Sequence, residues 1–364
     1  MPFNCEQCNK VYQSSGGLKR HIKTKHPIIL LEPDVLHPNF IEVCAGGGGL
    51  SNGLIQAGFH PVLLNDNNKD ACDTLIHNHP NCNIVLDSMC NLNLTKYRGS
   101  IDVLCGGVPC QSYSQAGARR GLEDPRGNLM LRFRDLLLQA EPKIFMIENV
   151  KGLTTHNNGA TLRQILEHLN VDGTYNITYS ILNSVNFGVP QKRERIFIIG
   201  IRNTHLNHFI FPLPDENILT VGNVLQNVPE SPGAVYSAEK IRLYGMVPQG
   251  GCWINLPLEE QRAYLGTSFN SGGGKRGILY RLALDRPSLT LLCTPSQKQT
   301  ERCHPTEIRP LTIREYARIQ TFADDYEFSG SMSSQYKQIG NAVPVELARR
   351  VGLKLLECLN GNVN

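Results

Sequence analysis

An α/β fold built on a doubly wound, mostly parallel sheet is predicted by three features of the chain. From Asn39 onward, short apolar runs alternate with stretches of helical period. A run of glycines, Gly46 to Gly49, separates the first apolar run from the first helical stretch. Polar residues able to do chemistry cluster at the carboxyl ends of the apolar runs, where sheets of this kind bind ligands.

Taken in order, strands are expected over residues 40–44, 61–65, 83–86, 101–105, 143–148, 176–182 and 195–201. Helices are expected over 50–57, 69–78, 128–139 and 160–169. Past residue 205 the rhythm breaks. Pro212, Pro214, Pro229, Pro232, Gly250-Gly251 and Gly272-Gly273-Gly274 mark an irregular, smaller domain. Helical patterns return over 312–321 and 345–359. The expected layout is therefore a first unit over 1–26, a linker over 27–38, a main domain from 39–204 and 340–364, and a small domain over 205–339. Three prolines make the linker semi-extended.

Composition narrows the function classes. At 41% hydrophobic and 19% charged, the chain is ordinary for a globular protein. It has no apolar run of about 18 residues, so no membrane span is expected. No apolar segment of a secretory signal follows Met1. The twelve cysteines form no disulfide framework, which points to a reducing, intracellular setting, cytoplasm or nucleus. Within 1–26, Lys10, Lys19, Arg20, Lys23 and Lys25 face only Glu6, an excess equal to the whole chain's net charge of +4. A basic module on a neutral body suits a nucleic-acid partner.

That module carries Cys5-x2-Cys8-x12-His21-x4-His26. Two thiolates and two imidazoles at this spacing suit tetrahedral Zn2+, in a ββα zinc finger. Phe3, Tyr12 and Leu18 supply a minimal core, so metal must contribute the folding energy. With Leu18 at helix position 4, the base-reading positions fall on Ser14, Gly17 and Arg20. Of these only Arg20 makes a bidentate contact to guanine. A protein-contact role for the finger stays open.

The glycine run fails the nicotinamide fingerprint, because Ser51 and Asn52 stand where its third glycine belongs. Downstream come Gly106-Gly107-Val108-Pro109-Cys110-Gln111, then Glu148-Asn149-Val150, then Gln191-Lys192-Arg193-Glu194-Arg195. Further on are 309–322, starting Arg309-Pro310-Leu311-Thr312, and Gln338-Ile339-Gly340-Asn341-Ala342-Val343-Pro344. In this order the motifs resemble the DNA cytosine-5 methyltransferases, over roughly 39–356.

The resemblance implies a class I S-adenosylmethionine-dependent methyltransferase with a small target-recognition domain over 205–339. Cys110 would be the nucleophile, adding to C6 of a flipped-out cytosine so that C5 becomes nucleophilic. Pro109 fixes the backbone before it, and Gln111 belongs to the same catalytic loop. Glu148 would hold a proton at cytosine N3, a role that needs a raised pKa. Arg195 would meet cytosine O2, and Arg193 would support the loop or a phosphate. S-adenosyl-L-methionine would lie against Cys44, Ala45, Gly46, Gly48 and Gly49. Asp66 and Asn67 would meet its ribose; Asp87 and Ser88 would meet its adenine. Pro109, Asn341, Ala342 and Val343 would close the pocket. Cys44 stands where the family has a phenylalanine that packs on adenine, so one stacking contact is missing.

Double-stranded DNA is the implied partner of a monomer, with contacts from Arg20, Ser112, Gln191, Lys275, Arg276 and Thr290. Two other readings remain: a tRNA cytosine-5 methyltransferase, and a catalytically silent DNA-binding protein. Restriction-modification, viral genome marking and regulation would all use this chemistry, in a bacterial, viral or other host.

Overall fold

The computed structural model describes residues 37–109, 129–204, 208–270, 277–295, 297–298 and 300–361, with two short strands near the N-terminus. The chain divides into two units, Met1–His37 and Pro38–Asn364. In the first, Phe3–Asn4 pairs antiparallel with Val11–Tyr12, placing Phe3 opposite Tyr12. The expected finger ligands Cys5, Cys8, His21 and His26, and Arg20, lie outside the described residues.

The second unit is built on a seven-stranded sheet. Its strands are β1 (Asn39–Val43), β2 (His60–Asp66), β3 (Asn83–Leu86), β4 (Val103–Gly106), β5 (Ile144–Val150), β6 (Tyr175–Asn183) and β7 (Glu194–Arg202). Their order across the sheet is β3-β2-β1-β4-β5-β7-β6. The first five run parallel, and β7 lies antiparallel between β5 and β6. The chain order reverses between β1 and β4, which opens the crevice where such sheets bind ligands.

Side chains alternate between the two faces, as the period of a strand requires. Phe40, Val103, Cys105, Met146 and Phe197 pack on one face with Leu54, Val351 and Leu355. These last come from α1 (Gly49–Gln56) and from the terminal helix Val345–Leu359. Ile41, Val43, Leu104, Phe145, Ile147 and Ile198 pack on the other face with Phe133, Leu137, Ile165 and Leu169. Those belong to the helices Leu129–Ala140 and Ala160–Asn170. Burial on both faces explains why these strands read as near-continuous apolar runs.

Between β7 and the last helices the sequence predicts only irregular chain. The structure adds helices Ala238–Gly245 and Leu258–Leu265, which close a separate small core of Tyr236, Leu243, Tyr244, Leu256, Leu265, Leu279 and Cys303. It also adds the helix Met332–Asn341, whose Tyr336 and Ile339 pack with Tyr316, Ile319 and Phe322. The stretch around 326–338 bonds back to the sheet domain: Tyr326 donates to Gly47 O at 2.9 Å, and Thr74 Oγ1 to Gln338 Oε1 at 2.7 Å. The C-terminal part of the expected 205–339 domain is thus continuous with the sheet domain. Among the described residues, no helix is long and apolar enough to cross a membrane.

Candidate active site

The parallel strands all end at one edge of the sheet. There β1 runs into the glycine loop, β2 delivers Asp66, β3 delivers Asp87, β4 leads to Pro109, and β5 carries Glu148. Because β7 is antiparallel, its first residues start at this same edge, and Arg195 pairs in register with Val150. An antiparallel strand is what brings a basic motif late in the chain onto the acid of β5.

Arg195 Nε lies 2.9 Å from Glu148 Oε1, with both side chains nearly buried. Burial raises the pKa of Glu148, and Arg195 and then Arg193 oppose the rise. A carboxyl that holds its proton more readily than an exposed one thus sits against a fixed cation. The neighbouring Asn149 donates from Nδ2 to Val108 O at 2.8 Å, anchoring the strand end that leads to Pro109. Pro109 is exposed. Cys110, Gln111 and Ser112 lie outside the described residues, as do Lys275 and Arg276.

The expectation for Gln191 is corrected, and Arg193 is placed beside it. Gln191 is fully buried and does not face DNA. Its Oε1 accepts from Leu291 N at 2.8 Å, and its Nε2 donates to Gln320 Oε1 at 2.8 Å. Arg193 is 1% exposed. Its guanidinium donates to Leu291 O, Gly340 O and Asn341 O at 3.0–3.2 Å. Both side chains tie the basic motif to the segments 288–291 and 338–342. The chain passes between two strands here, with Gln191–Lys192 pairing to Ser288–Leu289 and Glu194–Arg202 joining the main sheet, which separates them from Arg195 in a way the residue types alone do not show. Thr290 is half-buried and donates from Oγ1 to Lys192 O at 2.7 Å.

The glycine loop is held from several sides. Ala45 N donates to Asn65 O at 2.9 Å, and Gly46 N to Asp66 Oδ2 at 2.8 Å. Asp66 Oδ1 accepts from Asn68 N at 2.8 Å. At Gly49 a Cβ would lie 2.3 Å from Val343 O, so only glycine allows the loop to meet the 341–343 segment. Ala342 and Val343 are buried there, while Asn341 is exposed and its Oδ1 accepts from Cys293 Sγ at 2.8 Å. Gly48 has φ +80°, and its missing Cβ leaves room for the Tyr326 hydroxyl. Asn67 and Asp87 are exposed at the strand ends. Asp87 Oδ1 accepts from Ser88 N and Asn91 Nδ2 at 2.7 and 2.8 Å, and Ser88 caps the turn that follows. Cys44 has φ +55° and donates to Met89 Sδ at 3.5 Å; burial pushes its thiol up to about 12.

Comparison with known proteins identifies the family of the chain. The family profile described as C-5 cytosine-specific DNA methylase matches residues 38–357. The chain belongs to that family. The Type II methyltransferase M.PspPI of Psychrobacter sp. (strain TA137) is 46% identical over 331 residues, covering 88% of this chain and 80% of its own. M.Eco47II of Escherichia coli, also a Type II methyltransferase, is 45% identical over 329 residues, covering 88% and 79%. Among solved structures, a DNMT2 mutant from Spodoptera frugiperda superposes with a TM-score of 0.66 at 17% identity, over 88% of this chain and 100% of that one. That likeness is one of fold. The reaction of this methylase is S-adenosylmethionine-dependent methylation of cytosine carbon 5 in DNA, which sets the tRNA and silent readings aside.

The residues at the edge suit that cofactor. Carboxylates stand at the ends of β2 and β3, where hydroxyl and amino donors can be read, and the glycine loop leaves backbone free for close approach. One acid of the site was not singled out from sequence. Glu42 sits inside the β1 apolar run, 1% exposed beneath the loop. A glutamate within such a run was itself the signal. Gln320 and Asn149 were missed for a different reason, since their roles depend on partners far along the chain.

Proposed function

We propose that Cys110, Glu148 and Arg195 carry the methylation, in a short specific sequence of double-stranded DNA, on a cytosine flipped out of the duplex. The observation that carries this reading is the 2.9 Å pair of Arg195 and Glu148 at the strand edge that leads into Pro109-Cys110. The Cys110 thiolate adds to C6. Glu148 holds a proton at N3, so the ring accepts electrons as the thiolate arrives. Arg195 steers the same carboxyl and offers a donor to O2. Bound S-adenosylmethionine supplies the methyl group as a sulfonium electrophile. Asp66, Asn67, Asp87 and Ser88 orient it, together with the loop 44–49 and the closing segment Asn341, Ala342 and Val343.

Arg193 and Gln191 act as positioning residues, because their bonds fix the closing segment and the strand carrying Arg195. The small core around Tyr236 and Tyr244 is assigned to target recognition, with Ser112, Lys275, Arg276 and Thr290 as DNA contacts. We assign the N-terminal unit to a C2H2 finger holding one Zn2+ through Cys5, Cys8, His21 and His26. The antiparallel pairing of Phe3–Asn4 with Val11–Tyr12 supports it, since a ββα finger opens on such a hairpin. Arg20 would add its contact to DNA there. Action on DNA places the protein inside the cell, in a modification role like that of Type II methyltransferases.

The test is methyl transfer from labelled S-adenosylmethionine to unmethylated plasmid, mapped by bisulfite sequencing. Label at C5 within one short recurring motif, lost in Cys110→Ser, is the expected result. Label without a common motif would overturn sequence specificity. Full activity of Cys110→Ser would overturn the nucleophile.

A further inference from the structure

Glu42 takes no part in the reaction described above, yet it is the most completely buried acid of the site. Its carboxyl lies beneath the glycine loop, between β2 and β4, on the face covered by α1. Its Oε2 and the buried Ser51 Oγ on α1 have no hydrogen-bond partner among the described residues. Ser51 nonetheless bears on the carboxyl through both its hydroxyl and its backbone N–H, and both favour the charged form. The negative charges of Asp66 on the adjacent β2 and of Glu148 on β5, two strands away, both bear on the Glu42 carboxyl. Cys44, Cys82, Cys105 and Tyr326 surround it, and among the described residues no cationic side chain bears on it. Burial first, then Asp66 and Glu148, raise its pKa to about 8 against the pull of Ser51.

An acid in this position answers to the charge of whatever occupies the loop. The cofactor carries a positive sulfonium, and the product left after methyl transfer carries a neutral thioether. The two are otherwise the same molecule. A cation at the loop favours ionisation of a nearby carboxyl, whereas a thioether does not.

We propose that Glu42 is a selectivity residue, which releases its proton to solvent when the sulfonium cofactor binds and so disfavours retention of the thioether product. This rests on the loop 44–49 being the cofactor site. Between about pH 6.5 and 8.5, Glu42 then contributes an affinity for the cofactor that it does not contribute for the product. A fall of one pKa unit on binding corresponds to about a tenfold gain in affinity.

Isothermal titration with S-adenosylmethionine and with S-adenosylhomocysteine, at pH 6.5 and 8.5, tests this on the full-length protein and on Glu42→Gln. The amide mimics the protonated carboxyl, so the variant keeps the fold of the neutral form. Comparing the two proteins also cancels titration of the ligand's own amine. At pH 8.5 the variant should bind S-adenosylmethionine roughly tenfold more weakly than wild type. At pH 6.5 the two should agree, and for S-adenosylhomocysteine they should agree at both values. Wild type should release protons on cofactor binding, read from heats in buffers of different ionisation enthalpy. Ser51→Ala should move the pH transition upward, because it removes a group that favours the charged form.

Equal losses for both ligands, or no difference between the proteins at pH 8.5, would overturn the proposal. Asp66→Ala separates this from failure of the site itself. If that variant binds S-adenosylmethionine as wild type does, the cofactor lies elsewhere. If its affinity falls while Glu42→Gln is silent, the site stands and the selectivity role is wrong.

Discussion

Arg195 on β7 and Glu148 on β5 form a nearly buried ion pair at 2.9 Å, two strands that run in opposite directions and meet at the same edge. The pair does two opposed things. Burial favours a protonated Glu148 and Arg195 an ionised one, and burial outweighs, so the pKa stays raised. The proposed role of Glu148, holding a proton at a ring nitrogen, calls for a carboxyl with a raised pKa.

Glu148→Gln should therefore lower kcat by roughly two to four orders of magnitude, the usual range for a lost proton-transfer group. Binding of S-adenosylmethionine should stay within about twofold, because the cofactor residues lie on other strands. Single-turnover rates with unmethylated DNA and titration of the cofactor check both halves. In wild type the rate should fall with rising pH once Glu148 ionises, later than an ordinary carboxyl would, because its folded pKa is raised.

Arg193 should behave unlike Arg195, although the two stand in one motif. Removing its guanidinium leaves the carbonyls of Leu291, Gly340 and Asn341 without their donor in a buried place. Arg193→Ala should cost on the order of 3 kcal/mol or more in urea unfolding, at about 1–3 kcal/mol for each buried group left unpaired. Arg193→Lys should recover little, since one ammonium cannot span three acceptors set for a fork. Arg195→Ala should lose the chemistry, and the buried Glu148 left behind should take up its proton more readily.

Gly49→Ala should lose cofactor affinity through the loop's fit to its closing segment. The added Cβ would meet Val343 O at 2.3 Å, a backbone atom that cannot turn away as a side chain can. Overpacking of this kind costs about 1–3 kcal/mol. Gly152→Ala, whose Cβ meets nothing within 4 Å, is the control and should stay within about 0.5 kcal/mol. Thermal melts and S-adenosylhomocysteine titration of both variants make the comparison.

The proposed finger can be tested apart from the enzyme, since Met1–His37 is a unit of its own. Metal analysis should find one zinc per chain, lost in Cys5→Ser. Methyl transfer to plasmid at saturating DNA should persist in that variant. Its DNA affinity at low salt should drop, because phosphate contacts weaken as salt rises. A full zinc complement in Cys5→Ser would sink the ligand assignment.

The sheet was legible because burial on both faces leaves apolar runs bounded by turns, as at 83–86, where expected and observed strand ends coincide. The helix Lys69–Asn78 was equally legible from its period, and the structure adds its Asn68 cap. The helices Ala238–Gly245 and Leu258–Leu265 were not, because each is short and proline and glycine dominate their surroundings. The site divides along a similar line. Glu148 and Arg195 could be read because their motifs are local. Gln191 and Arg193 could not, because their partners at 291, 320 and 340–341 come from chain far away, and only the fold decides which side of a strand end faces inward.

Glu42 supplies a prediction about stability that is independent of ligand. Its carboxyl has a reference value of 4.5 and about 8 when folded. Between those values the native state binds a proton that the unfolded chain has lost. Stability must then fall as pH rises from about 4.5 to about 8, by about 1.4 kcal/mol for each pH unit crossed. Other groups titrate over the same range, so the informative quantity is the difference from Glu42→Gln, which has no proton to lose there. Urea unfolding should find the two proteins close at pH 5, and the variant more stable by several kcal/mol at pH 8.5. A gap that does not change with pH would mean that Glu42 is ionised within the fold, and that some partner satisfies its charge beneath the loop.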